Sequence, residues 1–128
     1  MEGLALSVSQ MEHLEALGVD TGFACMSYLC VSGEWELRYA DAACRATSSL
    51  RYRPAFLLHD LFRVLPSVLH VGDTTAVLHI FYLPDGRVHV HYGSVLSVPV
   101  GMSLLDSLYT LLCKVLEFHP EALSSSNI

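Results

Sequence analysis

Two periods alternate along this chain. The first helical stretch is short: Ser9 and Glu12 have the spacing of a capping box, Met11, Leu14 and Leu17 form a narrow apolar stripe, and Gly18 supplies a stop. From Gly22 to Val31 both alternating faces are apolar, as a central strand requires. Ser32-Gly33 then reads as a tight turn. Glu34 to Tyr39 alternates cleanly, with Trp35, Leu37 and Tyr39 on one face and Glu34, Glu36 and Arg38 on the other. A third strand is expected over residues 44–53. Pro54 follows, where it suits the first turn of a helix carrying Leu57, Leu58, Leu61, Phe62 and Leu65, which Pro66 ends.

The pattern is sharpest over Thr74–Tyr92. Pro84-Asp85-Gly86 fits a type I turn closed by a glycine in the left-handed region, the loop of a hairpin with a bulge. That turn sets a register pairing Leu83 with Arg87, Phe81 with His89 and His79 with His91. The other face then holds Leu78, Ile80, Tyr82, Val88, Val90 and Tyr92, all apolar or aromatic. Turn chemistry and hydrophobic pattern therefore agree. The last helix runs from Ser103 to about Phe118 with a core stripe of Leu105, Leu108, Tyr109, Leu112, Val115 and Leu116. A second stripe at heptad spacing holds Leu104, Leu111 and Phe118. The expected fold is α+β, helices packed on an antiparallel sheet in the order α-β-β-β-α-β-β-α. It forms one domain over residues 1–123 with a flexible Ser-rich tail at 124–128.

Composition narrows the function. With 128 residues, 52% of them hydrophobic and 16% charged, the chain is neither disordered nor of low complexity. It also holds more apolar surface than a small domain can bury, which points to another protein as the cover. The middle helix (Leu57, Leu58, Leu61, Phe62, Leu65) is the expected homodimer interface. Leu104, Leu111 and Phe118, with Phe81 and Leu83, are the expected partner-binding residues. A net charge of −6 with six Arg and one Lys argues against binding a nucleic-acid backbone. No apolar run approaches the length of a membrane span, and the acidic N-terminal stretch does not read as a signal peptide, so a cytoplasmic protein with reduced cysteines is expected.

Candidate chemistry is thin. The register places His79, His89 and His91 on one face, a spacing that zinc can use. No acidic residue in the hairpin is placed to orient the imidazoles, and the face reads as solvated, so no metal and no cofactor are expected. Cys25, Cys30, Cys44 and Cys113 all sit in apolar patterns, which raise a thiol pKa. There is no nucleophile elbow and no phosphate-cradling loop. The expectation is a protein that is not an enzyme.

Size, acidity, element order and the phrase LHIFYLPDGRVHVHYG followed by SLLDSLYTLLCKVLEF give a chain that resembles class I type III secretion chaperones. The resemblance implies a small cytoplasmic dimer that keeps an extended segment of a secreted effector non-globular, with the middle helix at the dimer contact. Alternatives from other classes are a roadblock- or longin-like scaffold subunit, which fits if residues 42–53 are loop, and a toxin-neutralising immunity protein.

Overall fold

The computed structural model describes residues 4–39 and 52–120, and among these the protein is α+β, with three helices and seven strands in two antiparallel sheets. In chain order they are α1 (Val8–Ala16), β1 (Met26–Val31), β2 (Glu34–Tyr39), β3 (Tyr52–Ala55) and α2 (Leu58–Val64). There follow β4 (Val68–Val71), β5 (Thr74–Tyr82), β6 (Val88–Tyr92), β7 (Leu96–Ser97) and α3 (Leu104–Phe118). The expected order is present, with β4 and β7 as two further short strands. The chain divides into two compact units, residues 1–60 and 61–128.

In the first unit, α1 begins two residues earlier than the Ser9–Glu12 spacing implies. Ser7 is the N-cap: its hydroxyl accepts from the Gln10 backbone N–H at 3.1 Å, while Gln10 Oε1 accepts from the Ser7 N–H at 2.8 Å. Leu6 and Met11, fully buried, occupy the flanking positions of a hydrophobic staple, which explains why the box sits here and leaves Ser9 inside the helix. At the other end Gly18, at φ 95°, lets Gly18 and Val19 donate back to Glu15 and Leu14 as a Schellman cap.

The central strand is also shorter than expected. Gly22 N–H donates to Asp20 Oδ1 and Ala24 N–H to the Thr21 carbonyl, so these two donors are spent in turns and β1 starts at Met26. It pairs with β2 on one side and β3 on the other, in the sheet order β2-β1-β3. Ser32 (φ 53°) and Gly33 (φ 84°) both take the left-handed conformation that a two-residue hairpin turn of type I′ demands.

Pro54 is not a helix start. It lies in β3 opposite Ser27, on the outermost strand of the sheet, where a missing N–H costs no ladder bond. Beyond it the N-terminal segment takes up the pairing: Leu6 N–H donates to the Phe56 carbonyl at 2.9 Å and Ala5 bridges Leu57. Helix α2 therefore starts only at Leu58, where Asp60 Oδ2 accepts from the Leu57 N–H at 2.9 Å. Residues 44–51 of the expected third strand lie outside the described residues. The unit's core joins Leu6, Met11, Leu14, Met26, Leu29, Ala55 and Phe56. Within it the Phe23 and Phe56 rings lie 5.1 Å apart, and Tyr28 Oη donates to the Leu6 carbonyl at 2.7 Å.

The second unit is a meander, β4-β5-β6-β7, with α3 packed across β6 and β7. The hairpin register is the one the turn dictates, with His79 opposite His91 and Phe81 opposite His89; Leu83 N–H donates to Arg87 and Gly86 N–H to Leu83. Val88, Val90 and Tyr92 face the interior, and Tyr92 Oη donates to the Pro66 carbonyl at 2.7 Å. Ser103 caps α3 by accepting from Asp106 N–H. Lys114 Nζ reaches the Ser97 carbonyl and ties the helix to β7. Residues 121–128, including the expected tail, lie outside the described residues. No helix among the described residues is long and apolar enough to cross a membrane.

Candidate functional site

Strand alternation in the second unit sorts β5 and β6 into two faces. Ala76, Leu78 and Ile80 turn inward with Val88, Val90 and Tyr92; Val77, His79, Phe81, His89 and His91 turn outward. Outside, the His79 ring lies nearly parallel to those of Phe81 (5.9 Å, 5°) and His91 (5.2 Å, 20°), and Phe81 and His91 are 5.5 Å apart at 15°. His91 Nδ1 is 3.0 Å from the Gly93 carbonyl, an acceptor, so this nitrogen carries the proton. The result is a flat platform of rings. Phe81 is 51% exposed on it and Val77, two residues before His79 on the same face, 49%.

The sequence-derived surface residues separate into two groups. Phe81 and Phe118 (62%) are exposed, while Leu83 and Leu104 are half-buried. Leu111 is fully buried and is corrected from partner-binding to interior, because it stands three residues from Leu108 and four from Val115 on the packed face of α3. Heptad spacing alone had put it with Leu104 and Phe118, which lie at the helix ends. In α2 and at its two ends, Leu61 and Leu65 are likewise buried, Leu57 and Leu58 half-buried, and Phe62 exposed. The expected dimer stripe thus presents Phe62 rather than five side chains.

His79, His89 and His91 share their face as expected, yet their ring nitrogens do not converge as a metal requires. Among the described residues that convergence occurs in the first unit, at Cys25, His59 and Asp60. Cys25 precedes β1 by one residue and is exposed, contrary to its apolar surroundings in sequence, because the strand starts only after it. His59 and Asp60 stand in the first turn of α2. His59 Nε2 is 3.5 Å from Cys25 Sγ and 3.4 Å from Asp60 Oδ1. Asp60 is buried, and its other oxygen is held by the Leu57 N–H, so its orientation is fixed by the backbone. Thiol and carboxylate meet the same ring nitrogen. A nucleophile–base–orienter relay would need them on opposite nitrogens, so the trio is not built as a hydrolytic triad. Nothing short of the fold could reveal it, since 34 residues separate the thiol from the imidazole.

Other chemistry is weaker. Burial pushes the Cys113 thiol up, which makes it a poor nucleophile, and its neighbour Tyr109 is pushed up to about 12 by burial first and by Cys113 second. A cavity of about 180 Å³ in the first unit is lined by Thr21, Gly22, Ala24, Ser27, Tyr52 and Pro54, and among the described residues its lining holds no carboxylate, imidazole or thiol. Fold and site together define an α+β protein with an exposed aromatic sheet face. Comparison with protein-family models, with curated proteins and with solved structures returns no match.

Proposed function

We propose that the chain is a non-enzymatic protein-binding module of the cytoplasm, chaperone-like in action, which holds an extended segment of another protein against the outer face of its four-stranded sheet. The observation that carries this reading is the ring platform. Phe81 and Val77 stand half-exposed on the outer face of one strand, two residues to either side of His79. A lone exposed apolar side chain is ordinary; two on one face flanking His79, one of them stacked on imidazole rings, are a surface for contact. Beside them β4 is an edge strand of the sheet among the described residues, the kind of strand to which an extended segment adds. The element order shared with type III secretion chaperones supports the same reading. Self-association belongs to it as well, through the exposed Phe62 of α2.

The test is selection of displayed peptides on the intact chain. Enrichment of extended apolar sequences, lost in Phe81→Ser and retained in Phe118→Ser, is the expected result. Selection of no such class, or enrichment indifferent to Phe81, overturns the reading. Light scattering at micromolar concentration checks self-association separately: a dimer that Phe62→Asp dissociates is expected, and a wild-type monomer removes that part.

A further inference from the structure

From the convergence of a thiol, an imidazole and a carboxylate in the first unit, we infer that Cys25 Sγ, His59 Nε2 and Asp60 Oδ1 bind one zinc ion. Zinc takes sulfur, nitrogen and oxygen donors together, in tetrahedral array, at about 2.3 Å to sulfur and about 2.0 Å to nitrogen or oxygen. Those lengths and the tetrahedral angle put sulfur and nitrogen donors about 3.5 Å apart, and nitrogen and oxygen donors about 3.3 Å apart. The observed separations are 3.5 Å and 3.4 Å, and all three donor atoms lie within 4.8 Å of one another. Both separations made by the imidazole nitrogen thus match those a bound ion would impose.

The surroundings fit the same ion. Asp60 is held by the Leu57 N–H through Oδ2, leaving Oδ1 to His59, the arrangement by which an outer contact aims a ligating carboxylate. Cys25 and His59 are exposed, so an ion has a route in and a fourth position remains for water or for a donor from a partner. Binding converts the Cys25 thiol to thiolate and releases one proton to solvent. Hard cations such as magnesium and calcium, which take oxygen donors, do not match this set. The ion joins the entry of β1 to the start of α2, two points 34 residues apart in the chain.

The full-length protein, stripped by a chelator, is titrated with cobalt(II) as a spectroscopic probe and then with zinc in competition. The expected outcome is one ion per chain, with the visible bands of tetrahedral cobalt and a thiolate-to-cobalt charge-transfer band. Cys25→Ser removes the charge-transfer band, and His59→Ala weakens zinc binding by more than about 100-fold, beyond what loss of an outer-shell contact costs. Both side chains are exposed, and circular dichroism confirms that the variants fold. Cys30→Ser and the double variant His89→Gln, His91→Gln leave the titration unchanged. The inference is overturned if no saturable binding is seen, if the thiolate band survives Cys25→Ser, or if the hairpin histidine variants abolish binding instead.

Discussion

In the four-stranded sheet every strand pairs with its neighbour in the chain, whereas the three-stranded sheet closes only when residues 26–29 meet residues 52–55 and Leu6 reaches Phe56. Both solve the same problem of covering an apolar face. They differ in what must be ordered first. A meander closes short loops one at a time, while the first unit, beyond its local β1–β2 hairpin, must bring distant segments together to complete its sheet, which costs loop entropy and slows folding. The keystone of the first unit is accordingly Phe56, which touches three segments at once: its carbonyl takes Leu6, its N–H lies 3.3 Å from Met11 Sδ, and its ring meets Phe23.

The largest expected effect tests that difference. Phe56→Ala should cost about 3–5 kcal/mol, and Leu111→Ala in the second unit about 2–5 kcal/mol. The single tryptophan, Trp35, sits in β2 and reports on the first unit. In urea, Phe56→Ala is expected to shift the Trp35 fluorescence midpoint more than Leu111→Ala does. Equal shifts would abolish the distinction between the units. For Leu111→Ala, a cost below about 0.5 kcal/mol would return that residue to the surface.

A smaller effect compares the two hairpin turns. Gly33 (φ 84°) and Gly86 (φ 87°) both have open space where a Cβ would stand, so only backbone strain opposes a side chain. Gly33→Ala and Gly86→Ala should each cost about 1–2 kcal/mol, as read from denaturation midpoints. A much larger cost at Gly33 would show that the first unit depends on its turn more than the meander does.

The smallest effect comes from two tyrosines, one in each unit, whose hydroxyls donate to distant backbone carbonyls. Burial raises both Tyr28 and Tyr92 above the ordinary value of 10.0, more for Tyr92. The unfolded chain ionises these phenols near 10 and the folded one holds them neutral. Their contribution is therefore whole below pH 10 and lost as pH climbs from there toward the folded value. Stability measured between pH 9 and about pH 11 should fall. Tyr92→Phe should flatten that fall and cost about 1 kcal/mol at neutral pH, with Tyr28→Phe costing less. An identical alkaline profile in Tyr92→Phe would remove the role given to its burial.

The hairpin from Thr74 to Tyr92 was legible from residues alone because Pro84-Asp85-Gly86 and the alternation on either side carry the same register within nineteen positions. Ser32-Gly33 was legible for the same reason. Pro54 misled because its helix-starting preference is local, while its strand role depends on a partner 27 residues earlier. Ser9 misled because two overlapping boxes compete, and the staple of Leu6 with Met11 decides between them. Strand β4 is four residues with one buried side chain, too short to show a period. Of the candidate surfaces, the imidazole face could be drawn from register, but its lack of converging nitrogens could not. The Cys25, His59 and Asp60 trio exists only once β1 and α2 are assembled.

The outer strands of the two sheets are guarded unequally. Strand β2 carries Glu34, Glu36 and Arg38 toward water, with Arg38 and Glu36 in a salt bridge. Strand β4 reads Val-Leu-His-Val and bears no fixed charge. A rim of that kind invites any passing β-strand, wanted or not. When the protein is concentrated without a companion, that border is where sticking and fibril growth would begin, and a single lysine at Val68 would be the simplest way to keep the preparation clear.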